Sequence, residues 1–229
     1  MLINHRRAFW YSLVLLASLI FVLAAVGRHP PGVAPRTTLP WVGHFDLSMY
    51  RWMDDIRTTP LTWLFRFLNV VGGGVVTIPL RAVASLYLLW RRWWRRAGAF
   101  ILTWAASEIL LTVLKAWFHR GRPAGGLVAL RGYSFPSGHA TAGAATAVAL
   151  VLAFFQPGSR RRKWEWFAVG FAFVMAFSRV YLNAHWFSDV VAGVLLGCGI
   201  AVGAAALSME VSTLVLRRRT GQPPAVADG

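Results

Sequence analysis

The chain has 229 residues, of which 57% are hydrophobic, and a formal net charge of +16. A soluble domain contains roughly 45–50% apolar residues, and here the excess falls in blocks near the length of about 20 residues that crosses a bilayer. The composition therefore excludes an ordinary soluble domain and indicates an integral membrane protein. Because the basic residues stand in short runs between the apolar blocks, they indicate membrane topology, and we expect no nucleic-acid partner.

Six apolar segments predict an all-α, polytopic membrane bundle with six transmembrane helices. The first segment follows a basic N-terminus and is longer than the apolar part of a cleaved signal peptide, which has about 7–15 residues. We therefore expect it to be retained. The predicted spans are 8–27, 67–90, 98–117, 138–156, 164–183 and 186–208.

The connection between the first two spans contains a helical pattern of its own. In "HFDLSMYRWMDDIRTTPLTWLFRFLNVV" the apolar residues recur at helical spacing, and Pro60 interrupts the pattern. This segment predicts an outer interfacial helix with Asp54 and Asp55 on its polar face; a plain structured loop is an equal alternative. The "GGG" at 72–74 predicts close helix packing or a local break in the second span.

The basic runs fix the expected orientation, because positive residues accumulate on the cytoplasmic side. In a six-span arrangement all four runs fall on one side of the membrane. This predicts a multi-pass protein of the cell membrane with both termini in the cytoplasm. The runs are His5 to Arg7, Arg91 to Arg96, Arg160 to Lys163, and Arg217 to Arg219.

Unusual polar residues all fall at the opposite, extracytoplasmic face. Charged groups within spans cost free energy and are usually functional, so we expect a site at this face. Arg120, in the loop after the third span, is expected to be an ordinary basic loop residue. The candidates end the third span, follow it in the loop, open the fourth span, end the fifth and open the sixth. In chain order they are Lys115, Arg122, Ser137, Gly138, His139, Arg179, His185 and Asp189.

The stretch "PSGH" at 136–139 indicates an anion site at a helix start. Ser137 is a good N-cap, and a helix N-terminus offers free backbone N–H groups and the positive end of the helix dipole. Gly138 permits close approach of an anion to the backbone, and His139 stands one residue further in. Capping alone does not require a histidine there.

His185 and Asp189 are four residues apart, which places them on one helix face. A carboxylate beside an imidazole fixes its tautomer and stabilises its protonated form. Two histidines, several cations and a helix N-terminus suit phosphoryl transfer through a phosphohistidine, with one histidine attacking and the other protonating the leaving oxygen. With eight carboxylates in the chain, we expect no metal ion and no cofactor.

Two further charged residues fall inside spans. Arg81 in the second span and Glu108 in the third come at similar depth. Because an unpaired charge in the membrane is expensive, we predict that they form a structural ion pair.

Three motifs together resemble the type-2 phosphatidic acid phosphatase superfamily of integral membrane lipid phosphatases. They are "KAWFHRGRP" from Lys115, "PSGH" from Pro136 and "SRVYLNAHWFSD" from Ser178, in the family's order and without departure at a signature position. The resemblance covers about residues 60–208, and it implies a six-helix core that works without a metal. It also implies roles: His185 as nucleophile, Asp189 orienting it, His139 as general acid, and Lys115, Arg122, Ser137, Gly138 and Arg179 binding the phosphate.

On this basis we divide the chain into three parts. Residues 1–59 form the first span and outer loop, 60–208 the catalytic membrane phosphatase domain, and 209–229 a cytoplasmic tail with a disordered end.

We expect a membrane lipid as substrate, with undecaprenyl pyrophosphate preferred and phosphatidylglycerol phosphate or phosphatidic acid as alternatives. Phosphotransfer to a lipid or sugar hydroxyl is a second class of activity. Transport is disfavoured because the polar groups make no continuous path, and six spans argue against the soluble haloperoxidases that share the phosphate site. We make no prediction of the oligomeric state from the sequence.

Overall fold

The computed structural model describes residues 5–27 and 37–220, with side chains described for 10–27 and 37–211. These residues form helices and no strand, which confirms the all-α prediction. The parts of the chain at 1–4, 28–36 and 221–229, including the tail end for which disorder is predicted, lie outside the described residues. The helices are α1 (His5–Val26), α2 (Pro40–Asp55), α3 (Thr59–Val71), α4 (Gly74–Trp90), α5 (Trp94–Phe118), α6 (Gly138–Phe154), α7 (Ser159–Tyr181) and α8 (Phe187–Thr220).

Two described helices are long and apolar enough to cross a bilayer alone. They are α5 and the segment Phe187–Val211 of α8. The bent pair α3 and α4 would make a third, and Trp10–Val26 and Gly138–Phe154 are shorter apolar helices. These lengths fit a membrane protein, and six crossings stays a prediction.

The segment predicted as one span at 67–90 is divided between two helices. Helix α3 ends at Val71, α4 begins at Gly74, and their axes differ by 42°. Gly72 is closely packed: a Cβ atom there would lie 2.0 Å from Met175 Cε, the end of a flexible side chain, and 3.2 Å from His139 Cδ2. Both the local break and the close packing predicted for the glycine run are therefore present, and the last turn of α3 lies against the start of α6.

Helices α6 and α8 pack with their backbones close together. A Cβ atom at Gly193 would lie 2.7 Å from the Ser137 carbonyl oxygen, and one at Gly197 would lie 2.5 Å from the Thr141 carbonyl oxygen. Small residues allow this approach, as they do between membrane helices generally. At the end of the interface the backbone N–H of Ser137 donates to the carbonyl of Asp189, 3.0 Å away. The starts of α6 and α8 are thereby fixed to each other.

The predicted ion pair between Arg81 and Glu108 is confirmed. Arg81 Nη1 lies 2.7 Å from Glu108 Oε1, and Arg81 Nε donates to Thr146 Oγ1 over 2.7 Å. Arg81 is buried, whereas the Glu108 side chain is 52% exposed. The pair therefore joins the bundle interior to its outer surface.

The α6–α8 interface predicts that Gly197→Ala is destabilising. The new methyl group would meet backbone atoms of α6, which cannot rotate away, so we expect a loss of about 1–3 kcal/mol in the free energy of unfolding. Thermal unfolding in detergent measures this. Gly203→Ala is the matched control on the same helix, because nothing lies within 4 Å of a Cβ atom there; equal melting temperatures for the two variants would contradict the packing argument.

Candidate active site

All eight predicted site residues lie at one end of the bundle, where six segments meet. The end of α5 carries Lys115, and the connection that follows carries Arg122. The start of α6 provides Ser137, Gly138 and His139, while the end of α7 provides Arg179. The turn between α7 and α8 carries His185, and the first turn of α8 carries Asp189.

His185 is buried, and its contacts define its tautomer. Its Nε2 atom lies 3.2 Å from Arg122 Nη1. Because a guanidinium can only donate, Nε2 must accept, and the ring proton must be on Nδ1. That atom lies 3.5 Å from Asp189 Oδ2. The nitrogen that faces the cations therefore carries a lone pair, as a nucleophile requires.

The surroundings also keep His185 neutral. Burial lowers the pKa of His185 to about 3, and the upward effect of Asp189 does not offset it. Arg179 and Arg122 lower this pKa further, since a positive ring beside them is unfavourable. At neutral pH the imidazole is consequently a free base.

Arg120 binds the carboxylate oxygen of Asp189 that does not face His185. Its Nη1 atom donates to Asp189 Oδ1 over 2.6 Å, and its Nη2 atom donates to Asp46 Oδ2 over 2.6 Å. The prediction of an ordinary loop arginine is therefore wrong, because Arg120 is 2% exposed between two carboxylates. Burial lowers the pKa of Arg120, but Asp189 and Asp46 raise it more strongly, above its usual value.

Lys115 and Arg122 are held by the connection between α5 and α6. Lys115 Nζ donates to the Tyr133 carbonyl over 2.7 Å, and Arg122 Nη2 donates to the same carbonyl over 3.1 Å. Arg122 Nη1 also donates to the Ala184 carbonyl beside His185, over 2.8 Å. Burial lowers the pKa of Arg122, with Asp189 opposing the shift. Two cations are thus fixed at neighbouring positions by backbone oxygens.

Ser137 is the N-cap of α6, as predicted. Its backbone is extended, and its side-chain oxygen accepts from the backbone N–H of Ala140 over 3.5 Å. Helix α6 then begins at Gly138, which is half-buried. The first N–H groups of a helix have no partner within it, so this start adds donors beside the cations.

Asn69, in the last turn of α3, joins His139 to Arg179. Its backbone carbonyl accepts from His139 Nε2 over 3.0 Å, which leaves Nδ1 as the nitrogen free to act on a substrate. Its side-chain oxygen accepts from Arg179 Nη1. The Nε and Nη2 atoms of Arg179 are buried and have no hydrogen-bond partner among the described residues. Buried donors of this kind are suited to an anion.

His139 and His185 interact with the same arginines, so their charges are linked. His139 interacts with Arg179, Arg122 and Lys115, and the two arginines also interact with His185. Three cations and a helix start therefore surround the space between a free-base imidazole and a second imidazole. Within the described part of the chain, no three His, Cys, Asp or Glu residues are grouped to hold a metal ion. The arrangement can bind a phosphate group and accept it on nitrogen.

Asn69 and Asp46 are the polar residues of this region that sequence reasoning missed. Asp46 lies on the buried face of α2, at helical spacing from Val42 and Met53. An acidic residue at such a position indicates a buried cationic partner, and this signal was available. Asn69 precedes the glycine break, and nothing in its spacing identifies what its two oxygens contact.

Sequence comparison gives a family match and several relatives. Residues 96–211, about half of the chain, match the family model described as PAP2 superfamily. An undecaprenyl-diphosphatase of Sulfolobus acidocaldarius is 28% identical over 165 residues, which are 69% of this chain and 75% of that protein. Phosphatidylglycerophosphatase B of Bacillus subtilis is 28% identical over 153 residues, which are 64% and 70% of the two chains.

Solved structures show the same fold. The crystal structure of a transmembrane PAP2-type phosphatidylglycerolphosphate phosphatase from Bacillus subtilis aligns with a TM-score of 0.74 at 23% identity, covering 88% of this chain and 98% of the other. That of Aquifex aeolicus LpxE aligns with a TM-score of 0.57 at 24% identity, covering 72% and 94%. The bundle is therefore the fold of membrane phosphatases.

The buried site predicts that His185 stays neutral well below the pH at which a free histidine is protonated. An unfolded histidine takes a proton below about pH 6.5, whereas burial lowers the pKa of His185 to about 3. The contribution of His185 to folding stability is therefore complete above about pH 6.5 and is lost as the pH falls toward 3. Nitrogen NMR of labelled histidine, assigned with His185→Gln, should show a neutral ring protonated on Nδ1 at pH 5; an imidazolium signal at pH 6 would contradict it.

Proposed function

Because the chain belongs to the PAP2 superfamily, we propose that this lipid phosphatase hydrolyses a lipid phosphate or pyrophosphate through a phosphohistidine at His185, without a metal ion. The observation that carries the proposal is the orientation of His185. Its Nε2 lone pair points to the Arg122 guanidinium, in a space that also holds the unpartnered donors of Arg179. A phosphate bound to these donors would have its phosphorus next to the nucleophile.

The first chemical step forms the phosphoenzyme. Nε2 of His185 attacks phosphorus, and the bond from phosphorus to the leaving oxygen breaks. His139 enters this step as an imidazolium, with Nε2–H on the Asn69 carbonyl and a second proton on Nδ1, a positive ring that the bound phosphate anion favours. It gives the Nδ1 proton to the leaving oxygen. Lys115, Arg122, Arg179, the Ser137 hydroxyl and the Gly138 backbone N–H balance the charge of the non-bridging oxygens. Asp189 stabilises the positive ring that results, because it faces Nδ1–H of His185.

The second step returns the enzyme to its starting state. The His139 ring is now neutral and carries a lone pair on Nδ1. This atom takes a proton from water as the water oxygen attacks phosphorus. The bond from phosphorus to His185 Nε2 breaks, and inorganic phosphate leaves. Each residue then carries the protons with which it began.

The outer surface near the site favours a lipid substrate. Helix α3, which carries Asn69, exposes Trp63 and Phe67, and helix α5, which carries Lys115, exposes Val113 and Trp117. A phosphorylated head group can occupy the site while its tails stay among these apolar side chains. A free metabolite would gain nothing from them.

Undecaprenyl pyrophosphate, converted to undecaprenyl phosphate, is the preferred substrate, and the archaeal relative named undecaprenyl-diphosphatase supports it. Phosphatidylglycerol phosphate is the alternative that the Bacillus relative supports, and phosphatidic acid or transfer to a lipid hydroxyl are further alternatives. The basic runs favour six transmembrane helices, cytoplasmic termini and an extracytoplasmic site. Residues 60–208 form the proposed catalytic domain.

The proposed route predicts metal-independent phosphate release that needs His185. The purified protein in detergent with EDTA is assayed on undecaprenyl pyrophosphate, phosphatidylglycerol phosphate, phosphatidic acid and a soluble phosphate ester. We expect release from at least one lipid, with the highest kcat/KM on the preferred substrate, and loss of about 10⁴-fold or more in His185→Ala. His44→Ala, an exposed histidine of α2, is the control and should keep full activity.

Two outcomes would contradict the proposal. Activity that disappears with EDTA would rule out the metal-free route. No release from any substrate by folded protein would indicate phosphotransfer, which an added lipid or sugar acceptor would then reveal.

The proposed role of His139 predicts a dependence on the leaving group. His139→Ala should lower kcat for a lipid phosphate by about 10²–10⁴-fold, because an alkoxide leaves poorly without a proton. The loss should be much smaller for p-nitrophenyl phosphate, whose leaving group needs no proton. Equal losses on both substrates, measured as initial rates, would show that His139 does not protonate the leaving oxygen.

A further inference from the structure

A buried ion-pair network lies behind the proposed catalytic pair. Arg120 Nη1 contacts Asp189 Oδ1 at 2.6 Å, and Arg120 Nη2 contacts Asp46 Oδ2 at 2.6 Å. The three side chains are each at most 2% exposed. In the proposed reaction Asp189 stabilises the positive His185 ring, whereas Arg120 and Asp46 have no role.

Ser188 ties the same network to α2. Its hydroxyl accepts from Arg120 Nη1 over 2.7 Å and donates to Asp46 Oδ2 over 2.6 Å. Its backbone N–H donates to Asp46 Oδ1 over 2.8 Å. Asp46 therefore receives hydrogen bonds on both carboxylate oxygens, and helix α2 is attached to the first turn of α8.

We propose that Arg120 and Asp46 are positioning residues for the nucleophile: Arg120 keeps Asp189 ionised with Oδ2 turned toward His185 Nδ1, and Asp46 fixes Arg120. This inference rests on the proposed function, because it concerns the orientation of the same histidine. It makes α2 part of the catalytic apparatus, beyond the domain predicted to begin at residue 60.

The geometry of Asp189 supports this role. Its Oδ1 atom is occupied by Arg120, and its Oδ2 atom accepts from the backbone N–H of Trp186 over 3.0 Å. With one oxygen held on each side, the carboxylate cannot rotate away from His185 Nδ1, which is 3.5 Å from Oδ2. A positioned carboxylate of this kind selects the tautomer whose other nitrogen is the nucleophile.

Charge balance gives the second argument. Two buried carboxylates would repel each other, and without a cation one of them would take a proton. The other charged groups that act on Asp189 are His185, Lys115 and Arg122. Of the described lysines and arginines, Arg120 is the one that contacts the carboxylate. A protonated Asp189 could no longer stabilise a positive His185 ring.

The test compares Arg120→Met, Asp46→Asn and the double variant with wild type. Phosphate release from the lipid that wild type hydrolyses fastest in the four-substrate panel is measured from pH 4 to pH 9 to give kcat and KM. Asp54→Asn is the matched control, since it removes the ion pair of Asp54 with Arg57 at 2.7 Å and does not touch Asp189. Its amide oxygen can still accept from Asn183 Nδ2, which donates to Asp54 Oδ1 over 3.1 Å. Melting temperatures show which variants are folded.

We expect Arg120→Met to lower kcat by about 10–100-fold, the usual effect of removing an outer hydrogen-bond partner. KM should change little, because the phosphate donors remain. The acid limb of the kcat profile should move to higher pH. Without Arg120 between them, the two neighbouring carboxylates keep a proton up to a higher pH than in wild type. The double variant should move the limb back toward wild type, because one of the competing carboxylates is gone. Asp54→Asn should match wild type.

Several results would overturn the inference. These are an Arg120→Met profile with unchanged kcat and acid limb, an effect confined to KM, or an equal loss in Asp54→Asn. If Arg120→Met does not fold, Arg120→Lys and Asp46→Asn take its place. Lysine keeps the charge but cannot bridge two carboxylates with a planar fork. We therefore expect Arg120→Lys to lower kcat with a smaller shift of the acid limb, and a kcat equal to that of wild type would overturn the inference.

A second readout separates this inference from the proposed function. NMR of His185 without substrate reports the hydrogen bond from Nδ1–H to Asp189 whether or not the protein hydrolyses a lipid. Arg122 still requires Nε2 to accept in Arg120→Met, so the tautomer should stay the same. We expect the Nδ1–H proton signal to move upfield, because the contact with Asp189 weakens, and an unchanged signal would overturn the positioning role. Wild type that releases no phosphate would overturn the proposed function instead.

Discussion

The close approach of α6 and α8 is the constraint on which the site depends. Gly193 and Gly197 bring the two backbones together, and the hydrogen bond from Ser137 N–H to the Asp189 carbonyl joins the two helix starts. One start provides backbone donors beside His139, and the other carries the carboxylate that faces His185. A wider separation would move the anion site away from the nucleophile, even if every catalytic side chain were present.

Charge is distributed unequally on the two sides of His185. On the side of Nε2 lie Arg122 and Arg179, with Lys115 close by. On the side of Nδ1 lie Asp189, Arg120 and Asp46, which together hold two negative charges and one positive. An incoming phosphate meets the cations, while the positive charge that develops on the ring meets the carboxylate. A single imidazole is thereby suited first to attack and then to carry a phosphoryl group.

Much of this arrangement could be predicted from the sequence, because it depends on local spacing. The helices, the break at the glycine run and the pairing of Arg81 with Glu108 follow from apolar periodicity and from the expense of buried charge. The family motifs identified the eight residues that meet at one end. Arg120 was misjudged because a loop arginine has no period that shows which way it points. Asn69 was missed because its contacts are set by tertiary packing across α3, α6 and α7.

The burial of His185 Nδ1 between Asp189 and the protein interior separates proton movement from phosphoryl movement. The Nδ1 proton faces a carboxylate whose other oxygen is already occupied by Arg120, so it has no outlet through that side. In the proposed cycle the nucleophile therefore gives up no proton and needs none. Both protons of a turnover, one to the leaving oxygen and one from water, pass through His139, on the same side as the substrate. In that cycle the proton transfers to and from the medium use one histidine, while the ring proton of the other stays in place throughout.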